Sequence, residues 1–124
     1  MTTDERYERG LARQAELGHG TGRQEVYDAL AEIAPDLPRL AVEFAYGDIH
    51  ARPGLDAARR ELVIIGALVT LGDTGRQLRA HLTSARNAGL TSAELVEAIM
   101  QALPYAGFPR VLNAMTAARD VLTT

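Results

Sequence analysis

The chain of 124 residues is long enough for a single domain, residues 1–124, and its 47% hydrophobic content is enough for one core. Its net charge of −3 gives no basic field for phosphates, and its apolar stretches are too short to cross a bilayer, so we expect a small anionic substrate and other subunits as partners rather than nucleic acid or a membrane. Because there is no cysteine and all 13 basic residues are arginine, thiol chemistry and lysine Schiff bases are excluded.

Helical periodicity dominates the chain, and glycine and proline divide it into about six or seven short helices with no alternating strand pattern. The predicted fold class is therefore all-α. The polar N-terminus has no apolar signal core, so the expected location is the cytoplasm. A first amphipathic helix is predicted over residues 4–17. Thr21 and Gln24 then predict a capping box for a second helix, Pro35 ends it, and Asp36 starts a third.

The second half of the chain predicts a central helical hairpin. Asp56 is a suitable N-cap for a helix that is apolar nearly all round, and residues 72–74 form a tight link to the next helix. Beyond the hairpin, Thr91 and Glu94 predict another capping box, and Pro109 permits a last helix. A chain this small is expected to leave part of its central helix uncovered, with subunit contacts completing the burial.

Five segments carry a resemblance to a known family, and their order and spacing agree together over roughly residues 40–118. They are Glu43–Leu55, Arg60–Val63, Leu78–His81, Ala88–Thr91 and Tyr105–Pro109. In these segments the chain resembles the carboxymuconolactone decarboxylase family. The resemblance implies an AhpD-like helical bundle that assembles as a homotrimer or homohexamer, with a pocket between subunits.

Comparison with the AhpD-like peroxidases separates two branches of this fold. Those proteins carry a Cys-x-x-Cys pair just before the histidine that corresponds to His81, and the two positions hold Thr74 and Gln77 here. A hydroxyl and an amide cannot cycle between dithiol and disulfide, which excludes peroxidase activity. The decarboxylase branch remains, with two departures: His50 stands where tryptophan is usual, and Glu61 where serine is frequent. These departures suggest a pocket suited to another substrate.

The family reaction removes carbon dioxide from the carboxylated γ-carbon of an unsaturated lactone such as 4-carboxymuconolactone. Because the carbanion is delocalised through the ring double bond onto the lactone carbonyl, the substrate is its own electron acceptor, and no cofactor is expected. The protein must hold the carboxylate, stabilise the dienolate oxygen and return a proton to carbon.

His81 is the predicted general acid and base, because imidazole gains and loses a proton near neutral pH. Glu61 and Glu43 are the candidates to orient the imidazole or to act as a base. If the hairpin closes near Asp73, Glu61 lies level with about Ala85, roughly 5 Å along the axis from His81. A direct hydrogen bond from His81 to Glu61 is then not expected, and Glu43 is the competing partner.

Arg52 and Arg60 are the predicted carboxylate anchors, since a guanidinium offers two parallel donors to a planar anion. Tyr46 and His50 are expected to line the same pocket. The three histidines show no metal-ligand spacing, so no metal is predicted.

Two other functions remain open at this stage. The same pocket could serve an isomerase, a dehydratase or a lactone-opening enzyme that uses His81 for proton transfer alone. Alternatively, the chain could be a non-catalytic, ligand-binding oligomer. Release of carbon dioxide separates the first of these from the decarboxylase, and the sequence does not select the substrate.

Overall fold

The computed structural model describes residues 1–18 and 21–123, and within these ranges every regular element is a helix and no strand is present. This confirms the predicted all-α class. No described helix is both long and apolar enough to cross a membrane. The helices are α1 (Thr3–Glu16), α2 (Thr21–Ala31), α3 (Asp36–Leu40) with a π-helical segment (Ala41–His50) that continues it, α4 (Ala57–Leu71), α5 (Gly75–Asn87), α6 (Ser92–Gln101), the single turn α7 (Leu103–Ala106) and α8 (Phe108–Leu122).

The chain divides into two compact units, Met1–Ala57 and Ala58–Thr124. In the first unit, α1 begins with a capping box between Thr2 and Glu5 that the sequence analysis did not predict, and its bounds confirm the predicted first helix. The predicted capping box at Thr21 involves a side chain that lies outside the described residues.

Two glycines bring α1 and the π-helical segment into backbone contact. A Cβ atom added to Gly10 would lie 2.1 Å from the carbonyl oxygen of Val42, and one added to Gly47 would lie 2.3 Å from the carbonyl oxygen of Arg6. No side chain can occupy either position at this separation. The approach of the two helices therefore requires glycine on both sides of the contact.

Ion pairs fasten the same two helices. The Arg6 guanidinium donates to both carboxylate oxygens of Asp48, at 2.6–3.1 Å. Arg39 donates to Glu43 and, at 3.1 Å, to Asp4 near the start of α1. Both arginines thus join groups that are far apart in sequence, and the bidentate geometry of the Arg6 pair makes it the more directional of the two.

The second unit is built around one hydrophobic core in which the hairpin of α4 and α5 packs with α6 and α8. Helix α6 begins with the predicted capping box between Thr91 and Glu94, which is confirmed. Val63, on the opposite side of α4, is 65% exposed, so the helix is covered on one face within the chain. The buried core residues are Ile65, Val69, Leu78, Leu82, Ala85, Leu95, Ile99, Val111, Ala114 and Ala118.

The contact at Gly10 predicts opposite effects for two glycine-to-alanine changes. We expect Gly10→Ala to lower the free energy of unfolding by about 2 kcal/mol, because the new methyl group overlaps a backbone oxygen that cannot move alone. Gly66→Ala, inside α4 with no atom within 4 Å of the new Cβ, should raise it by about 0.5–1 kcal/mol. Urea denaturation measures both values. A Gly10→Ala variant as stable as the wild type would contradict the backbone contact.

The Arg6–Asp48 pair predicts a defined pH dependence of stability. Hydrogen bonds from Arg6 lower the pKa of Asp48, and this outweighs the opposing effect of burial. A carboxyl group whose pKa is lower in the folded state stabilises the fold above its unfolded pKa, about 3.9. The stabilisation is lost as the pH falls through the lower, folded-state pKa.

We therefore expect Asp48→Asn to lower the Tm at pH 7, and the difference from the wild type to shrink as the pH falls below about 4. Thermal unfolding followed by circular dichroism measures this difference. Glu8→Gln, at an exposed position of α1, serves as the control and should change the Tm little. A difference between Asp48→Asn and wild type that is constant from pH 7 to pH 3 would contradict the assignment.

Candidate active site

The turn between α4 and α5 determines which residues of the two helices face each other. Gly72 and Asp73 both adopt left-handed backbone conformations, with φ of 73° and 54°. The Thr74 hydroxyl then donates a hydrogen bond of 2.6 Å to the carbonyl oxygen of Leu68. The bond satisfies one of the carbonyl oxygens at the C-terminal end of α4 and ties the start of α5 to it.

The helices α4 and α5 are joined by residues 72–74, which confirms that the hairpin closes near Asp73. The distance from Glu61 Oε1 to His81 Nδ1 is nevertheless 2.8 Å. The prediction that His81 and Glu61 make no direct hydrogen bond is therefore wrong. That prediction assumed two antiparallel axes with an equal rise on each side of Asp73, and the observed hairpin does not have this symmetry.

The Glu61–His81 pair joins a buried carboxylate to a partly accessible imidazole. The Glu61 side chain has no exposed surface, whereas that of His81 is 17% exposed. With Glu61 ionised, its oxygen accepts the hydrogen of Nδ1, and the basic nitrogen of the imidazole is Nε2. A proton that arrives at Nε2 gives an imidazolium, which the adjacent carboxylate stabilises. The pair is therefore suited to store and donate one proton.

The first unit carries Glu43, Tyr46 and His50 on the buried side of the π-helical segment. The Ala51 amide donates to the Tyr46 carbonyl at 3.0 Å, a spacing of five residues that is typical of a π-helix. The rings of Tyr46 and His50 stack with their centres 5.6 Å apart and their planes 25° from parallel. The Glu43 carboxylate accepts a hydrogen bond from Arg39, whereas the His81 imidazole is bonded to Glu61.

The two predicted anchors lie in different units. Arg52 follows the π-helical segment, has an exposed side chain and donates its backbone amide to Ile49 at 3.1 Å. Arg60 precedes Glu61 directly on α4 and is half-buried. Successive side chains of an α-helix point about 100° apart, so adjacency to Glu61 does not by itself bring the Arg60 guanidinium to the Glu61–His81 pair. The role of both arginines as carboxylate anchors stays a prediction.

A cleft of about 240 Å³ opens in the second unit at the hairpin turn. Its walls include Thr74, Leu78, Arg110 and Asn113, and none of the seven predicted site residues lines it. Within residues 1–18 and 21–123, no cluster of three or more His, Asp or Glu side chains is arranged as a metal site.

Three polar residues near these groups were not found from the sequence. Arg39 and Glu43 stand four residues apart, and that spacing on a helix is a signal that could have predicted their pair. The Arg23 guanidinium lies 5.2 Å from the centre of the Tyr46 ring, from a different helix, and no local pattern indicates it. The bond between Thr74 and Leu68 depends on the shape of the turn and has no sequence signal either.

The described helices and the Glu61–His81 pair, in a chain without cysteine, fit a small helical protein with a site for proton transfer. Comparison with known sequences gives its family. The profile of the Carboxymuconolactone decarboxylase family matches residues 35–120, a range that contains all seven predicted site residues. The chain belongs to this family, which confirms the resemblance recognised from the sequence.

Two proteins with similar sequences have names that state an activity. The chain is 34% identical over 121 residues to the 4-carboxymuconolactone decarboxylase of Acinetobacter baylyi, an alignment that covers 98% of this chain and 90% of the relative. It is also 33% identical over 97 residues to the nitrosuccinic acid decarboxylase of Metarhizium robertsii, covering 76% of this chain and 67% of the relative. Both relatives are named as decarboxylases.

Proposed function

We propose that the chain is a cofactor-independent decarboxylase of a small carboxylic acid. In this proposal His81 transfers the proton, and Glu61 orients the imidazole and stabilises its protonated form. The observation that carries this proposal is the 2.8 Å hydrogen bond between a fully buried carboxylate and a partly exposed histidine. Family membership and the names of the two relatives support decarboxylation over other proton-transfer reactions.

In the proposed reaction, the bond between the substrate carbon and its carboxylate carbon breaks, and carbon dioxide leaves. The electron pair of that bond passes to an acceptor within the substrate. His81, protonated at Nε2, then donates this proton to the carbon that has lost its carboxylate, and the neutral imidazole takes up another proton from water. Glu61 stabilises the imidazolium throughout and keeps the ring in one orientation.

The substrate carboxylate is assigned to a guanidinium, because arginine binds a planar anion through two parallel hydrogen bonds and stays charged at every relevant pH. Arg60 and Arg52 are the proposed donors. Tyr46 and His50 would provide a flat, buried surface against the rest of the substrate. The imidazole at position 50 makes this surface smaller and more polar than the tryptophan that is usual there.

The names of the relatives narrow the class of substrate. A carboxylated unsaturated lactone can place the electrons on its carbonyl oxygen, and nitrosuccinic acid can place them on its nitro group. Both acids therefore supply the acceptor themselves. We propose that the substrate of this chain is a small acid with such an acceptor conjugated to the carbon that loses the carboxylate.

Substitution of His81 tests the proposed proton transfer. We expect His81→Gln to lower kcat for carbon dioxide release at least about 100-fold, since general acid catalysis typically contributes 10²–10⁴-fold. Glu61→Gln should lower kcat less, because the amide oxygen still accepts from Nδ1 but carries no charge. Carbon dioxide release is measured with 4-carboxymuconolactone and with nitrosuccinate as substrates, and circular dichroism checks the fold of each variant.

His19→Gln provides a matched control, because the proposed reaction does not use this histidine, and it should turn over at the wild-type rate. Near-normal turnover by His81→Gln would remove His81 from the mechanism. Conversion of substrate without carbon dioxide would favour an isomerase, dehydratase or lactone-opening enzyme. Binding without any conversion would indicate a ligand-binding oligomer.

We further propose that the chain assembles as a homotrimer or homohexamer. Large apolar side chains of the second unit are more than half exposed, which is unusual for a surface that faces only water. They are Val63, Leu71, Tyr105, Phe108 and Leu112. Sedimentation equilibrium of the full chain should give the mass of three or six subunits, and the mass of a single chain at micromolar concentration would contradict this assembly.

A further inference from the structure

We infer that Thr74 is a positioning residue for the Glu61–His81 pair: its hydroxyl fixes the alignment of α4 and α5 that places the two side chains opposite each other. Thr74 does not contact substrate in this proposal and acts only through the hairpin. The inference rests on the proposed function for its kinetic readout, and it has a structural readout that does not depend on activity.

The first observation is that Thr74 bonds to α4 instead of capping its own helix. Thr74 is the N-cap residue of α5, a position at which threonine normally accepts a hydrogen bond from the first turn of its helix. Its side chain makes no such bond. Its hydroxyl donates to the carbonyl of Leu68 at 2.6 Å. The cap that α5 forgoes is typically a contribution of about 1 kcal/mol, so the chain uses the hydroxyl for the alignment of two helices.

The second observation is the backbone that brings Thr74 to this position. Asp73 has a φ of 54°, which non-glycine residues rarely adopt, and Gly72 before it has a φ of 73°. The Gly72 amide donates to the Leu68 carbonyl at 3.3 Å, which is the last i→i−4 hydrogen bond of α4. The Leu68 carbonyl oxygen therefore accepts both this bond and that of the Thr74 hydroxyl, and the Thr74 contact is the shorter of the two.

The hydrogen bond between Glu61 and His81 is sensitive to the alignment of α4 and α5. A shift of one residue along a helix moves a side chain by about 1.5 Å and turns it by roughly 100°. The 2.8 Å contact between Glu61 and His81 does not survive such a change, because N–H···O hydrogen bonds are confined to about 2.7–3.2 Å. Even a smaller displacement weakens the orientation of the imidazole and hence the rate of proton transfer.

The alignment is tested by Thr74→Val, which removes the hydroxyl at nearly constant volume, by Thr74→Ser, which keeps it, and by Thr70→Val. Thr70 is the matched control, since its hydroxyl donates to the Gly66 carbonyl within α4 at 2.9 Å and does not involve the turn. If Thr74→Val does not fold, Thr74→Ala takes its place. Each protein is examined as the full chain in two measurements.

One measurement follows the hydrogen-bonded Nδ1 proton of His81 by NMR of ¹⁵N-histidine-labelled protein without substrate. The other determines kcat and KM for carbon dioxide release. We expect Thr74→Val to broaden or lose the Nδ1 proton signal and to lower kcat about tenfold with KM within about twofold. Thr74→Ser should restore both values, and Thr70→Val should leave both unchanged.

The inference is overturned if the Nδ1 signal of Thr74→Val matches the wild type, or if Thr74→Ser fails to restore it, because the hydroxyl would then not control the pair. If the signal responds as expected but the wild type releases no carbon dioxide from any acid tested, the positioning role stands and the proposed decarboxylase function fails. The two failures are thus separated by the measurement in which they occur.

Discussion

An ionised carboxylate that has left water entirely is stable only beside a hydrogen-bond donor or a positive charge, since its desolvation costs several kcal/mol. Glu61 meets this requirement through His81. The consequence is chemical as well as structural. A proton added at Nε2 of His81 would turn the contact into an ion pair with the Glu61 carboxylate. The rest of the second unit holds these two side chains in place.

The composition of the chain makes this pair more important than it would be elsewhere. A protein without cysteine or lysine has no thiolate and no lysine amine to act as a nucleophile, so the Glu61–His81 pair is assigned proton transfer in the proposed reaction. Thr74 has a structural part in the second unit, because its hydroxyl bonds to the carbonyl oxygen of Leu68 at the turn of the hairpin.

The first unit holds the buried aromatic rings of Tyr46 and His50 on a closely packed pair of helices. Glycine at positions 10 and 47 lets two helix backbones touch, and the bidentate pair of Arg6 and Asp48 fastens them. Tyr46 and His50 lie four residues apart on the buried side of the π-helical segment, and their rings stack. π-Helical segments are frequent at functional sites, which is one reason for proposing that both residues line the substrate pocket.

By itself the sequence determined the all-α class, the hairpin, the capping box at Thr91 and the family, because these depend on local periodicity, on capping residues and on motifs in a fixed order. It also indicated His81 and Glu61 as individual residues. Only the tertiary structure decided that the two are bonded to each other. Their separation depends on how the chain turns at Gly72 and Asp73, where two left-handed residues and one hydroxyl contact set the path between the two helices. No periodicity in the sequence encodes that path, since it arises from contacts between the turn and the end of α4.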